Sequence, residues 1–184
     1  MNDLIAAALR DFTQLYCQQW QQRYGHPPAS AELYTIPSPC AVENRDDRVI
    51  WQPQPFNAEP QLSAVERALE LQLQSSVVSY YTTQYAGDMQ ATFEQQPITL
   101  LQVWSEDDFV RVQENLIGHL VMKRRLKQTP TLFIATTDSD SEIISVCNLT
   151  GEVICEKLGT PQRKKLAEDL RTFLTLLQPV TELD

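Results

Sequence analysis

The stretch from Ile98 to His119, ITLLQVWSEDDFVRVQENLIGH, constrains the fold more than any other part of this chain. An apolar run with strand character turns at Trp104-Ser105 and enters a helix whose apolar stripe is Phe109, Val112, Leu116 and Leu120. That stripe must be the core face. At about 100° per residue, Asp107, Arg111, Glu114 and Gly118 fall on the opposite side. Ser105 reads as the N-cap, with Asp108 three residues on as a variant of the capping box, and Trp104 and Phe109 stand at the spacing of a hydrophobic staple. Arg111 lies four residues after Asp107 and three before Glu114, so ion pairs within the helix are expected. The basic run Lys123 to Lys127 ends the helix at the negative pole of its dipole, and Pro130 closes it. Acidic residues belong in a first helical turn, where each contributes roughly 0.3–1 kcal/mol. One or two would suffice. Glu106, Asp107 and Asp108 together repel one another, and a positively charged partner would relieve that repulsion.

The rest of the chain reads as helices at both ends of a strand-rich middle. Leu4, Ala8, Phe12, Leu15, Tyr16 and Trp20 predict a helix to about Tyr24, stopped by Gly25. Ser30 can cap a short turn through Leu33, and Ile36-Pro37-Ser38-Pro39-Cys40 runs extended. Val49-Ile50-Trp51 reads as a strand confined to an edge or a short length by Pro53 and Pro55. Trp51 and Phe56 flank QPQPF and suggest that the segment packs down. Ser63 is expected to cap a helix carrying Val65, Leu69 and Leu73. From Ser75 to Gln84, Val77, Tyr81 and Tyr85 fit a helix while Val78, Tyr80 and Thr82 fit a strand, and a helix ending near Gly87 is favoured. Met89–Phe93 and Ile98–Trp104 suggest a hairpin around Gln95-Gln96-Pro97, and Thr131 to Thr137 a buried strand. Glu142–Cys147 and Glu152–Lys157 suggest a hairpin with Gly151 in the left-handed position, whose register does not pair Cys147 with Cys155. Thr160-Pro161 signals a closing helix that buries Leu166, Leu170, Phe173, Leu174 and Leu177 and stops at Pro179. Strands that arrive in neighbouring pairs predict an α+β fold: a single domain over 1–184, with a mainly antiparallel sheet of about six strands covered by N-terminal, central and C-terminal helices.

Charge placement narrows the partner. The net charge is −9. Residues 1–122 hold 15 acidic against 6 basic side chains, whereas residues 123–184 hold 9 of each. An acidic field of this kind repels nucleic acid and an anionic leaflet, and steers a basic partner. The four cysteines form no CxxC and the two histidines complete no zinc set, so reduced thiols in a cytosolic protein are expected, with no metal and no cofactor. Asp3 and Asp11 interrupt the first apolar run, so no secretory leader is expected, and no run is long enough to span a bilayer.

No glycine pattern cradles a phosphate and no serine sits in a GxSxG elbow, so the protein is expected not to be an enzyme. A Cys40/His119 hydrolase is the weakest reading: a packed cysteine and a hydrogen-bonded structural histidine explain both residues. Asp46-Asp47 in NRDDR reads as a solvated turn. WQPQPF, YYTTQYAGDM and WSEDDF are richer in aromatic and polar residues than a minimal fold requires, and aromatics beside carboxylates, as in the last two, suit a site gripping Lys or Arg.

Several phrases carry a resemblance to a known family: SPC at 38–40, WQPQPF at 51–56, AVERA at 64–68, YTTQYAGDM at 81–89, LLQVWSEDDF at 100–109, RVQENLIGHL at 111–120, TLFIAT at 131–136 and ISVCNLTGEV at 144–153. Over essentially its whole length the chain resembles the bacterial Syd family of SecY-interacting proteins, departing most at 41–48, 138–141 and beyond Leu177. The resemblance implies a SUKH-like α+β fold and a cytoplasmic protein held peripherally at the inner membrane, and a monomer is expected. It implies binding of SecY, the channel subunit of the export translocase, as a regulator or chelator of unassembled SecY. Because some SUKH-like proteins are immunity proteins, an acidic antagonist of a basic toxin is the competing reading. Of the acidic residues within the matching phrases, Glu66, Asp88, Glu106, Asp107, Asp108 and Glu114 form the expected partner-facing set.

Overall fold

Apolar spacing and turn chemistry set most element boundaries in the computed structural model, which describes residues 3–183. The chain runs α1 (Leu4–Tyr24), β1 (Ala29–Ser30), β2 (Ala41–Arg45), β3 (Arg48–Trp51), β4 (Gln54–Pro55), α2 (Ser63–Leu69), α3 (Ser75–Tyr81), β5 (Gln84–Tyr85), β6 (Met89–Phe93) and β7 (Gln96–Leu100). It continues through α4 (Glu106–Arg125), β8 (Thr131–Thr137), β9 (Glu142–Cys147), β10 (Val153–Lys157), β11 (Arg163–Ala167), α5 (Leu170–Leu176) and β12 (Gln178–Pro179). The main sheet has seven strands in the order β11-β10-β9-β8-β7-β6-β12, every neighbouring pair antiparallel. Small sheets β1-β3-β2 and β4-β5 flank it. The α+β expectation holds.

One apolar cluster runs from Ala8 to Leu177. Tyr16, Trp20, Trp51, Tyr80, Tyr81, Tyr85 and Phe173 are its largest fully buried side chains. The N-terminal helix forms as its spacing predicts, Gly25 taking the left-handed conformation that ends it. Helix α1 packs on α3 and α5, while α2 packs on α4 and α4 lies along β8.

Four expectations are corrected. The largest concerns Thr160-Pro161, which forms the β10–β11 turn rather than a helix start. The Thr160 hydroxyl donates to the Lys157 carbonyl and accepts from the Gln162 amide, and Arg163–Ala167 then pairs with β10. Cap-and-proline chemistry suits either outcome, and the open edge of β10 decides it. The last helix starts only at Leu170, where the Asp169 carboxylate accepts from the Thr172 amide. Second, the helix expected from Ser75 to near Gly87 ends at Tyr81 and Gln84–Tyr85 form β5, whereas β3 is as short as expected, at the centre of the small sheet. Third, Glu94 and Gln95, both left-handed, make the β6–β7 turn, so Gln96 and Pro97 belong to the strand. Finally, Ser63 is the first residue of α2 and offers no cap, because Leu62 holds the N-cap position and no side chain caps the helix.

The Gly151 turn and the register hold as expected: Cys155 lies opposite Ile144, and all four thiols are free. Trp51 is buried and Phe56 packs 5.0 Å from Tyr85, so the proline-rich segment does pack down.

Candidate functional site, an acidic cleft

The strand-to-helix joint is held by side chains taking up backbone groups. The Ser105 hydroxyl accepts from the Asp108 amide at 3.1 Å, as an N-cap should. The Asp108 carboxylate accepts from the Trp104 amide at 2.8 Å, one residue earlier than a standard capping box. Trp104 and Phe109 are both buried, but their aromatic partners differ: Trp104 meets Trp51 edge-on, and Phe109 meets Phe56. The Trp104 indole donates to the Ile36 carbonyl at 2.9 Å, and Ser38 donates to the Trp104 carbonyl. This ties the 36–40 segment across the start of α4.

The loop after β5 lies beside this joint. Gly87 is needed there because an added Cβ would sit 2.7 Å from the buried Trp51 indole. The close approach positions Asp88, whose carboxylate accepts from the Gln102 amide at 2.8 Å. Asp88, Asp107 and Asp108 thus converge on a cleft of about 300 Å³. Tyr81, Trp104, Phe133 and Ile36 contribute to its walls, and Arg111 stands at its rim. Arg111 pairs with Asp108 at 3.2 Å, where pairing with Asp107 and Glu114 was expected.

Burial pushes the Asp88 carboxyl up to about 6, and the neighbouring Asp108 and Glu32 charges add to the effect. The Gln102 amide and Arg111 oppose it. Such a group holds its negative charge at neutral pH at a free-energy cost that an incoming cation would offset. With three carboxylates and one guanidinium between apolar walls, the cleft focuses a negative field. Such an arrangement suits a cationic side chain, with its alkyl stem against the rings and its head among the carboxylates.

The six candidate carboxylates therefore separate. Asp88, Asp107 and Asp108 meet in the cleft, and Glu106 is exposed in the same helical turn. Glu114 is exposed on the stripe of Asp107, about 10 Å further along the helix. Glu66 is turned away: it accepts from the Leu73 amide and holds the α2–α3 connection. Tyr81 and Trp104 lie in aromatic stretches legible in the sequence, whereas Phe133 and Ile36 were not foreseen as walls, since nothing in the sequence brings them to the carboxylates and only the fold does. A larger groove of about 720 Å³, between α1 and the 52–55 segment, is lined by glutamines, prolines and Arg10 without converging charge.

The structure keeps Cys40 and His119 in separate settings. Cys40 is buried, its amide bonded to Ser38, and burial raises its thiol, the reverse of an activated nucleophile. His119 shares a 2.8 Å hydrogen bond with Thr131 and packs edge-on against Phe133. Among the described residues no group of His, Cys, Asp and Glu is placed to hold a metal ion, and no helix is long and apolar enough to cross a membrane.

The model of the Syd protein family (SUKH-2) matches residues 6–179. "Protein Syd" of Erwinia tasmaniensis is 61% identical over 180 residues, which cover 98% of this chain and 97% of that protein. The proteins of the same name in Salmonella paratyphi B and Salmonella newport are each 56% identical over 180 residues, covering 98% of this chain and 99% of theirs. The match takes in every strand of the main sheet and both sides of the acidic cleft, and the chain belongs to the Syd family.

Proposed function

We propose that this protein binds cytoplasmic loops of SecY by drawing a lysine or arginine side chain into the acidic cleft. The observation that carries the reading is the convergence of Asp88, Asp107 and Asp108 on one apolar-walled recess, in a chain of the Syd family. Cytoplasmic loops of membrane proteins are enriched in Lys and Arg, so a protein built to recognise them presents carboxylates. Glu106 extends the acidic face beyond the cleft, where it steers encounter more than it holds the complex. As a member of this family the protein is not an enzyme. Its role on this reading is to regulate or sequester unassembled SecY, as a monomer held at the cytoplasmic face of the inner membrane by its partner.

The test is a salt titration of binding to detergent-solubilised SecY complex, with Asp107→Lys alongside. Binding should weaken as salt screens exposed charges over a Debye length of ~8 Å, and should weaken again with the reversal. Absence of binding at low salt by the folded protein would overturn the proposal and favour a basic toxin as the partner.

A further inference from the structure

We propose that a second, basic recess at the opposite end of α4 binds a phosphate group. The recess, about 310 Å³, lies between the C-terminal end of α4 and the β10–β11 turn. Its floor is Lys123 bonded to Glu156, both buried. Lys127 and Arg163 stand on its two sides, and Thr129 and Gln162 add uncharged donors.

The charges in the recess do not cancel. Glu156 is neutralised from below by Lys123 and accepts a second hydrogen bond from Thr131 at 2.7 Å. Lys127 and Arg163 are both exposed, and among the described residues neither has an acidic partner within 4 Å. Lys165, two residues along the same strand, is different: Glu168 and Glu152 both engage it. Two uncompensated cations match the charge of a phosphate monoester, roughly −1.5 to −2 at neutral pH. A guanidinium fork also suits paired phosphate oxygens. Lys127 holds a left-handed backbone at φ 56°, which costs a side chain other than Gly, Asn or Asp free energy. That strained position sets its ammonium at the recess, where α4 has already ended. The same chemistry is offered by a soluble phosphate compound and by an anionic phospholipid headgroup, and exposed Leu126 beside Lys127 would suit the latter.

Titration calorimetry with inorganic phosphate and pyrophosphate, at matched chloride ionic strength, tests the soluble arm. Sedimentation with phosphatidylcholine vesicles, with and without phosphatidylglycerol, tests the lipid arm. Lys127→Asn keeps a residue tolerant of the left-handed backbone, and Arg163→Gln lies on an edge strand, so both variants should fold. Each should weaken binding about ten-fold, corresponding to about 1.5 kcal/mol for a hydrogen bond to a charged group. Lys164→Gln, whose side chain lines a different recess, should leave binding unchanged. Binding in either arm that is lost in both recess variants supports the site and identifies the ligand source. No binding in either arm, or equal losses with Lys164→Gln, overturns it.

Discussion

Asp88→Asn should make the protein more stable while making it a poorer binder. The carboxyl moves from an ordinary 3.8 to about 6 on folding, chiefly through burial. At about 1.4 kcal/mol per tenfold, the folded state disfavours the ionised form by about 3 kcal/mol. The folded protein therefore holds this proton more tightly than the unfolded chain does. Stability from this group is fully present below about pH 3.8 and is lost as pH rises through about 6. Asparagine has no proton to lose, and its amide oxygen can still accept from Gln102. By linkage the variant should be about 3 kcal/mol more stable than the parent at about pH 7.5, and only about 0.5 kcal/mol more stable at about pH 4. Water at the cleft mouth makes the larger figure an upper value. Urea unfolding at the two pH values measures the gap directly. A variant less stable at neutral pH, or a gap that does not close on acidification, would show that Asp88 is not the desolvated carboxylate described above. Affinity for the SecY complex should fall about ten-fold or more, as expected when a hydrogen bond to a charged group is lost.

Other consequences follow from individual contacts. Asp108→Asn should lower stability by about 0.5–2 kcal/mol because it weakens acceptance of the Trp104 amide, whereas exposed Asp107→Asn should leave the unfolding midpoint nearly unchanged. Lys123→Met orphans buried Glu156 and should cost about 3–5 kcal/mol, with most of the loss recovered on adding Glu156→Gln, as denaturant midpoints would reveal. His119 should stay neutral to below its ordinary range, because burial, with the Lys123 ammonium, outweighs the Glu156 carboxylate 3.9 Å away. Its ring resonances in an NMR pH titration should move only below the midpoint of a free histidine. Gly87→Ala should destabilise the protein and shift the fluorescence of buried Trp51, since the new methyl meets the indole.

Local chemistry in the sequence determined the parts of this protein that depend on neighbours along the chain. The stop at Gly25, the Ser105 cap, the Gly151 hairpin and the Phe109–Leu120 stripe each follow from residues within a few positions of one another. Family membership is legible in the same way, because phrases such as LLQVWSEDDF and ISVCNLTGEV are contiguous along the chain. Where one signal serves two structures, tertiary pairing chose. Thr160-Pro161 could open a helix or turn a hairpin, and the unpaired edge of β10 took the second course. The acidic residues were legible as a set, but their division was not, since a carboxylate in a sequence carries no record of whether it faces solvent or an orphan amide. Glu66 was claimed by Leu73, and Asp88 was drawn to the cleft floor by Gln102 and the close approach of Gly87 to Trp51. Lys123 reads as one more cation in a helix-ending run, yet it is buried on Glu156 from a strand 33 positions away. Burial and long-range partnership decide what an ionisable side chain does, and only the folded chain supplies both.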